Sequence, residues 1–290
     1  MPQKIVPMVT PFVANKPDAQ KLVHHARSLL KDGVDYVFLG GTTGLGGSLT
    51  TEEKLNLLNE LGGEFAPKLL FQVGTLDLEV SIKLAERAKQ LKLRAIVSYP
   101  PYFYPRMQDD WVVKYFVTIS KIYPLIVYNY PLATGYEISP AIVKKVRQGG
   151  GNVIGIKDTI PDIAHMLSFK YELGDDFIVY CGPDTIITSA VRSGLDGCVA
   201  GSGNYAPELM VKAANPESKL ADALAAQKTL FSLASLSRKY GQWAANYALT
   251  RAIRGYDVGE PRAPIYPLGP AEQEKIASEA KEIYPSMKSK

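Results

Sequence analysis

Residues 125–131, LIVYNYP, and 177–181, FIVYC, are near-continuous apolar runs rich in β-branched and aromatic side chains. Their length suits strands, and they lack the strict alternation of a strand with one wet face. Such segments belong in a parallel sheet buried on both sides, where helical crossovers supply the cover. Working outward, comparable runs occur at 4–12, 34–40, 69–75, 94–100, 153–159 and 197–203, which makes eight strands with 125–131 and 177–184. Helical patterns lie between them, at 18–33, 51–64, 78–91 and 109–122; the second opens on a Thr with a Glu at capping-box spacing. Eight βα units predict a closed (β/α)8 TIM barrel over residues 1–214. From about residue 215 the alternation stops, and 220–240, 243–254 and 270–283 read as a C-terminal helical extension, 215–290, packed on the barrel.

The chain's 290 residues fit this architecture, since one α/β barrel takes about 250 residues. Hydrophobic residues make up 46% and charged residues 21%, enough apolar material for a large core. A net charge of +4 without a block of like charge gives no nucleic-acid footprint, and no apolar run reaches membrane-span length. Pro2, Lys4 and Pro7 interrupt the beginning where a signal peptide would be apolar, and two cysteines are too few for a disulfide framework. A soluble, cytoplasmic chain in a reducing compartment is the expectation. The competing doubly wound fold finds only Gly201-x-Gly203-x-x-Ala206, and no acid ends a strand about twenty residues later.

Barrel chemistry sits where strands end and βα loops begin. Those ends carry Thr10-Pro11-Phe12, the loop from Gly40 to Gly44, Gly74-Thr75, Tyr99 to Tyr102, Tyr128 to Pro131, Lys157-Asp158-Thr159, Cys181 to Asp184 and Ala200 to Gly203. Lys157 is the one lysine among them. Apolar barrel walls would disfavour its charged form and make it a nucleophile able to form a Schiff base with a ketone. The plainer alternative is a strand-end lysine paired with the adjacent Asp158. Tyr128 could shuttle a proton beside an imine, and the Gly40–Gly44 loop could hold a small carboxylate with Thr42 and Thr43, although such a loop is more often only a tight turn. Of the three histidines, His24 and His25 diverge by about 100° on one helix. With His165 also in a predicted helix, a shared metal site is not expected, and the imine route calls for no cofactor.

GTTG at the second strand, YNYP at the fifth, GIKDT at the sixth and TP near the beginning resemble the dihydrodipicolinate synthase and N-acetylneuraminate lyase superfamily. Within it, GTTGLGGSLTTEEK, FQVGT, PYFYPRM, YNYPLATG, IKDT and RGYDVGEPRAPIYPL are similar to the archaeal 2-keto-3-deoxygluconate aldolases of branched Entner–Doudoroff metabolism, from Ile5 to about Leu268. The resemblance implies a class I pyruvate-dependent aldolase and a homotetramer built as a dimer of dimers. It casts Lys157 as the imine-forming lysine, Tyr128 as proton shuttle, Thr42 and Thr43 as carboxylate-binding and relay residues, and Gly182 and Ala200 as pocket walls. Arg106, Tyr130 and Arg238 would contact the 6-phosphate of a phosphorylated substrate, with Gln242 where the branch can carry serine. Ala133, where the synthase carries arginine, and Leu45, where synthase and lyase carry an acid, disfavour the sister branches; dihydrodipicolinate synthase is the runner-up within this chemistry. Phe103 stands where a relay tyrosine is usual, so a non-catalytic metabolite-binding barrel is the alternative of another class.

Overall fold

The computed structural model describes residues 1–104 and 107–285. Eight parallel strands close into a barrel: β1 (Gln3–Pro7), β2 (Tyr36–Leu39), β3 (Leu69–Gln72), β4 (Ala95–Ser98), β5 (Leu125–Asn129), β6 (Val153–Asp158), β7 (Ile178–Cys181) and β8 (Gly197–Val199). Each pairs with its sequence neighbours, and β8 closes the ring on β1. Alternation divides the strand side chains between two cores. Ile5, Phe38, Leu70, Val97, Ile126, Tyr128 and Tyr180 fill the barrel, while Val6, Val37, Leu39, Ile96, Val127 and Val179 join the helices outside. Burial on both faces is what the apolar runs require.

The long helix at Thr51–Phe65 begins at the expected signal: Thr50 Oγ1 accepts the Glu53 N–H at 3.1 Å, and the Glu53 carboxylate accepts the Thr50 N–H at 2.9 Å. Of three C-terminal helices, Leu220–Lys239 and Gln242–Arg254 pack against the last elements of the barrel, and Pro270–Ile283 packs on those two helices. Their attachment includes polar links near the strand ends: Tyr247 donates to the Thr10 carbonyl at 2.8 Å and Gln227 to the Asp184 carbonyl at 2.7 Å.

Two strand expectations are corrected. The run 4–12 is not one strand: β1 stops at Pro7, and Phe12–Val13 pairs antiparallel with Lys16–Pro17 through Ala14 and Asn15 at positive φ. Pro11, without an N–H, cannot continue a ladder. The run 197–203 also ends early, because Gly201–Asn204 turns as a short 3-10 segment. A Cβ at Gly203 would lie 2.4 Å from Val6 and 3.0 Å from Met210, so close packing explains the G-x-G-x-x-A match without a nucleotide.

His25 is a core residue. Asn204 Nδ2 donates to the carbonyls of Pro7 and Gly201, and its Oδ1 already accepts the Val9 N–H. Oδ1 must therefore accept from His25 Nε2 at 2.9 Å, which leaves Nδ1 to accept from the Tyr256 hydroxyl at 2.9 Å. Burial pushes the His25 imidazole down to about 4, so it is neutral at ordinary pH.

Candidate active site

Tyr128 and Lys157 occupy facing positions on adjacent strands, β5 and β6. Their register brings Lys157 Nζ to 3.9 Å from the centroid of the Tyr128 ring, with Phe38 on another side at 5.8 Å. Lys157 is only 6% exposed. An ammonium there is held against aromatic faces. The Tyr128 hydroxyl lies 3.3 Å from Thr42 Oγ1, and the Tyr130 ring stacks on Tyr128 at 5.9 Å.

Thr42 is delivered by a turn with no slack. The N–H groups of Gly44 and Gly46 both donate to the Gly41 carbonyl, and that of Leu45 donates to the Thr42 carbonyl. A Cβ at Gly46 would fall 1.7 Å from the Gly40 carbonyl oxygen, so only glycine permits this approach. The turn's own pattern does not use the N–H groups of Thr42 and Thr43. They remain suited to an anion.

These residues line a cavity of about 330 Å³ with Tyr130, Thr159, Gly182, Asp184, Gly201, Ser202, Arg238, Gln242, Trp243 and Asn246 among its walls. A neighbouring lobe of about 350 Å³ shares Thr42, Tyr130 and Trp243 with it and adds Leu45, Tyr99, Tyr102, Ala133 and Ile265. Asp184 is the one carboxylate among the lining residues of the first lobe. Its oxygens accept the N–H groups of Gly201 at 3.1 Å and Ser202 at 2.8 Å. Burial pushes its carboxyl up, while those N–H groups and the Lys157 charge oppose the rise. Among the described residues no cluster of His, Cys, Asp and Glu is arranged to hold a metal ion, and no helix is long and apolar enough to cross a membrane.

Lys157, Tyr128, Thr42, Thr43, Tyr130 and Gly182 line the first lobe from the strand ends, and Arg238 lines it from the Leu220–Lys239 helix. Ala200 does not: it is fully buried in the core outside the barrel, and Gly201 and Ser202 form that wall. Of the two threonines expected in the relay, Thr42 makes the hydrogen bond to Tyr128, and Thr43 lines the cavity beside it. Asp158 is not the partner of Lys157. Neighbouring residues on a strand face opposite ways, and Asp158 is held by Asn129, Ile160 and His165. Arg106 lies outside the described residues. Sequence reasoning gave no role to Asp184, although it stands at a strand end in GPD, and it missed Trp243 and Asn246, whose helix carries no local mark of facing the barrel mouth.

Residues 2–283 match the Dihydrodipicolinate synthetase family, and the chain belongs to it. It is 41% identical to the 2-dehydro-3-deoxy-phosphogluconate/2-dehydro-3-deoxy-6-phosphogalactonate aldolase of Saccharolobus solfataricus, over 98% of this chain and 96% of that one. Identity is 34% to the 2-dehydro-3-deoxy-D-gluconate/2-dehydro-3-deoxy-phosphogluconate aldolase of Thermoproteus tenax, over 93% and 87% of the two chains. Among solved structures, the Sulfolobus 2-keto-3-deoxygluconate aldolase in complex with D-KDPG superposes with a TM-score of 0.92 at 39% identity, covering 98% of this chain and 97% of that one. These relatives are aldolases, as the sequence motifs implied.

Proposed function

We propose that this chain is a class I aldolase that cleaves 2-keto-3-deoxygluconate, its galactonate epimer and their 6-phosphates to pyruvate and glyceraldehyde or glyceraldehyde 3-phosphate. The observation that carries the reading is the Lys157 amine over the Tyr128 ring, with the Tyr128 hydroxyl at Thr42, inside one cavity. The names of the aldolase relatives support it.

In this mechanism the Lys157 amine adds to the keto carbon and water leaves, forming a protonated imine. The C3–C4 bonding electrons move toward the iminium carbon as that bond breaks. The C4 hydroxyl proton passes to the Tyr128 oxygen while Tyr128 hands its own on through Thr42, and the aldehyde departs. The enamine takes a proton at C3, and water hydrolyses the imine to release pyruvate and restore Lys157. The carboxylate binds at the N–H groups and hydroxyls of Thr42 and Thr43. Asp184, held by the Gly201 and Ser202 N–H groups, is an acceptor on the cavity wall suited to the hydroxyls of the sugar chain. Arg238 and Tyr130 provide the phosphate contacts, since a guanidinium pairs with phosphate oxygens.

A homotetramer is part of the proposal. Phe103 is 79% exposed at positive φ, and Tyr104 and Leu132 are exposed too, an apolar surface at the barrel mouth that suits burial against a second copy. Imine chemistry requires no cofactor, and two reduced, buried cysteines suit a cytoplasmic setting. The runner-up, dihydrodipicolinate synthase, is disfavoured by Ala133 on the second lobe, where a cationic side chain would be needed for a second carboxylate. Steady-state rates with the gluconate- and galactonate-derived substrates and their phosphates, set against pyruvate condensation with aspartate semialdehyde, test the assignment. Cleavage of the sugar acids without condensation is expected, and condensation alone would replace this function with the synthase.

A further inference from the structure

Directly behind the reacting pair, on the outer face of the barrel wall, lie a buried carboxylate and a half-buried imidazole that the imine chemistry does not use. Asp158 is fully buried and follows Lys157 on β6; Asn129 is fully buried and follows Tyr128 on β5. The two pairs are in register, Tyr128 opposite Lys157 inside and Asn129 opposite Asp158 outside. Asn129 Nδ2 donates to Asp158 Oδ1 at 3.0 Å, and its Oδ1 accepts the Ile138 N–H at 3.0 Å, so neither end of the amide can be reversed. Asp158 Oδ1 also accepts the Ile160 N–H at 3.1 Å. Its other oxygen lies 2.6 Å from His165 Nδ1, while His165 Nε2 faces Glu137 at 3.5 Å near the surface. An imidazole against a carboxylate carries its proton on the facing nitrogen, so Nδ1 donates.

We propose that His165, acting through Asp158 and Asn129, is a positioning residue that fixes the spacing between Tyr128 and Lys157. The idea rests on the reading above, that these two side chains perform the reaction. A buried carboxylate remains ionised only while donors surround it; burial pushes the Asp158 carboxyl up, and the Ile160 N–H, His165 and Asn129 oppose that rise. Hydrogen bonds to an ionised acceptor are about twice as strong as neutral ones. Loss of the His165 donor therefore leaves Oδ2 without its shortest contact, lets the carboxyl take up a proton and weakens the Asn129 link one residue beyond the reacting pair. Proton transfer is sensitive to such displacement, since about 1 Å of misplacement can lower a rate by about 100-fold. Imine formation at Lys157 is less exposed to it, because that step needs no fixed distance to Tyr128.

The test compares His165→Ala with His165→Asn, whose amide can donate from nearly the position of Nδ1. For each, kcat and KM for sugar-acid cleavage are measured with thermal midpoint and with borohydride trapping of the pyruvate imine. For His165→Ala, kcat is expected to fall about tenfold with KM within twofold and imine yield retained, and His165→Asn to recover to within threefold of the parent. Unchanged kcat in the alanine variant, or no recovery in the asparagine variant, overturns the positioning role. A loss that merely follows the folded fraction does so as well. If His165→Ala does not fold, His165→Gln replaces it with the same expectation, since its longer arm fills the space but misplaces the donor. Failure of the parent enzyme to trap pyruvate on Lys157 would instead refute the proposed function.

Discussion

Lys157 Nζ stands 3.9 Å from the centre of the Tyr128 ring, and the Tyr128 hydroxyl is 3.3 Å from Thr42 Oγ1, so amine, phenol and alcohol are gathered in one cavity at the barrel mouth. Tyr128→Phe keeps the ring on which Lys157 rests and removes only the hydroxyl. It is expected to retain the pyruvate imine while lowering kcat by the roughly 10²–10⁴-fold attributed to a positioned acid–base group. Turnover within a few-fold of the parent would take Tyr128 out of the proton path.

Arg238 lines the cavity from the last turn of the Leu220–Lys239 helix, where it also donates to Ser235 at 3.0 Å. Arg238→Ala is expected to raise KM for the 6-phosphorylated substrate at least tenfold, in line with the loss of a charge-assisted contact worth about 1.5–3 kcal/mol, with little change for the free sugar acid. Equal losses on both substrates in steady-state assays would assign Arg238 to the common pocket or to the helix end.

His25 titrates at about 4 in the folded chain and near 6.5 when unfolded. The unfolded state therefore binds the proton first as pH falls, and the contribution of neutral His25, present above pH 6.5, is lost between 6.5 and 4. The shift corresponds to about 3 kcal/mol. Arg254, salt-bridged to Asp32 and close to the imidazole, adds to the cost of a second cation there. Urea titrations of the parent and His25→Gln should show a steeper loss of stability in the parent from pH 6.5 to 4.5. Parallel pH dependences would contradict a buried neutral imidazole.

Gly46→Ala places a methyl group on the Gly40 carbonyl, whereas a Cβ at Gly47 meets nothing within 4 Å. The first substitution should cost at least the roughly 1–3 kcal/mol of an overpacked site and reduce turnover by moving Thr42; the second should be nearly neutral in both. Thermal midpoints and kcat measured on the two variants decide this. Similar behaviour of both would mean that the turn tolerates displacement.

The barrel was legible because a parallel strand buried on both faces leaves a distinctive apolar run, and the lysine because it stands alone among the strand ends. Strand limits were less legible. Residues 10–12 and 201–203 continue apolar strand runs in the sequence, yet Pro11 and the turn before Asn204 redirect the chain. Asp184, Trp243 and Asn246 enter the cavity through tertiary packing between β7 and the C-terminal helices, which no local spacing encodes. Asp158 was legible as an acid beside the lysine but not in its direction. Strand alternation sends it outward, and only the positions of Asn129 and His165 reveal what it holds.

The central claim is covalent chemistry at Lys157, and its most direct measurement is the intact mass of the enzyme after incubation with pyruvate and borohydride, followed by peptide mapping. The expected result is a gain of one reduced pyruvate per chain, located on Lys157 and absent in Lys157→Ala, which should also lose turnover. No adduct, or an adduct on another lysine that persists in Lys157→Ala, would contradict it.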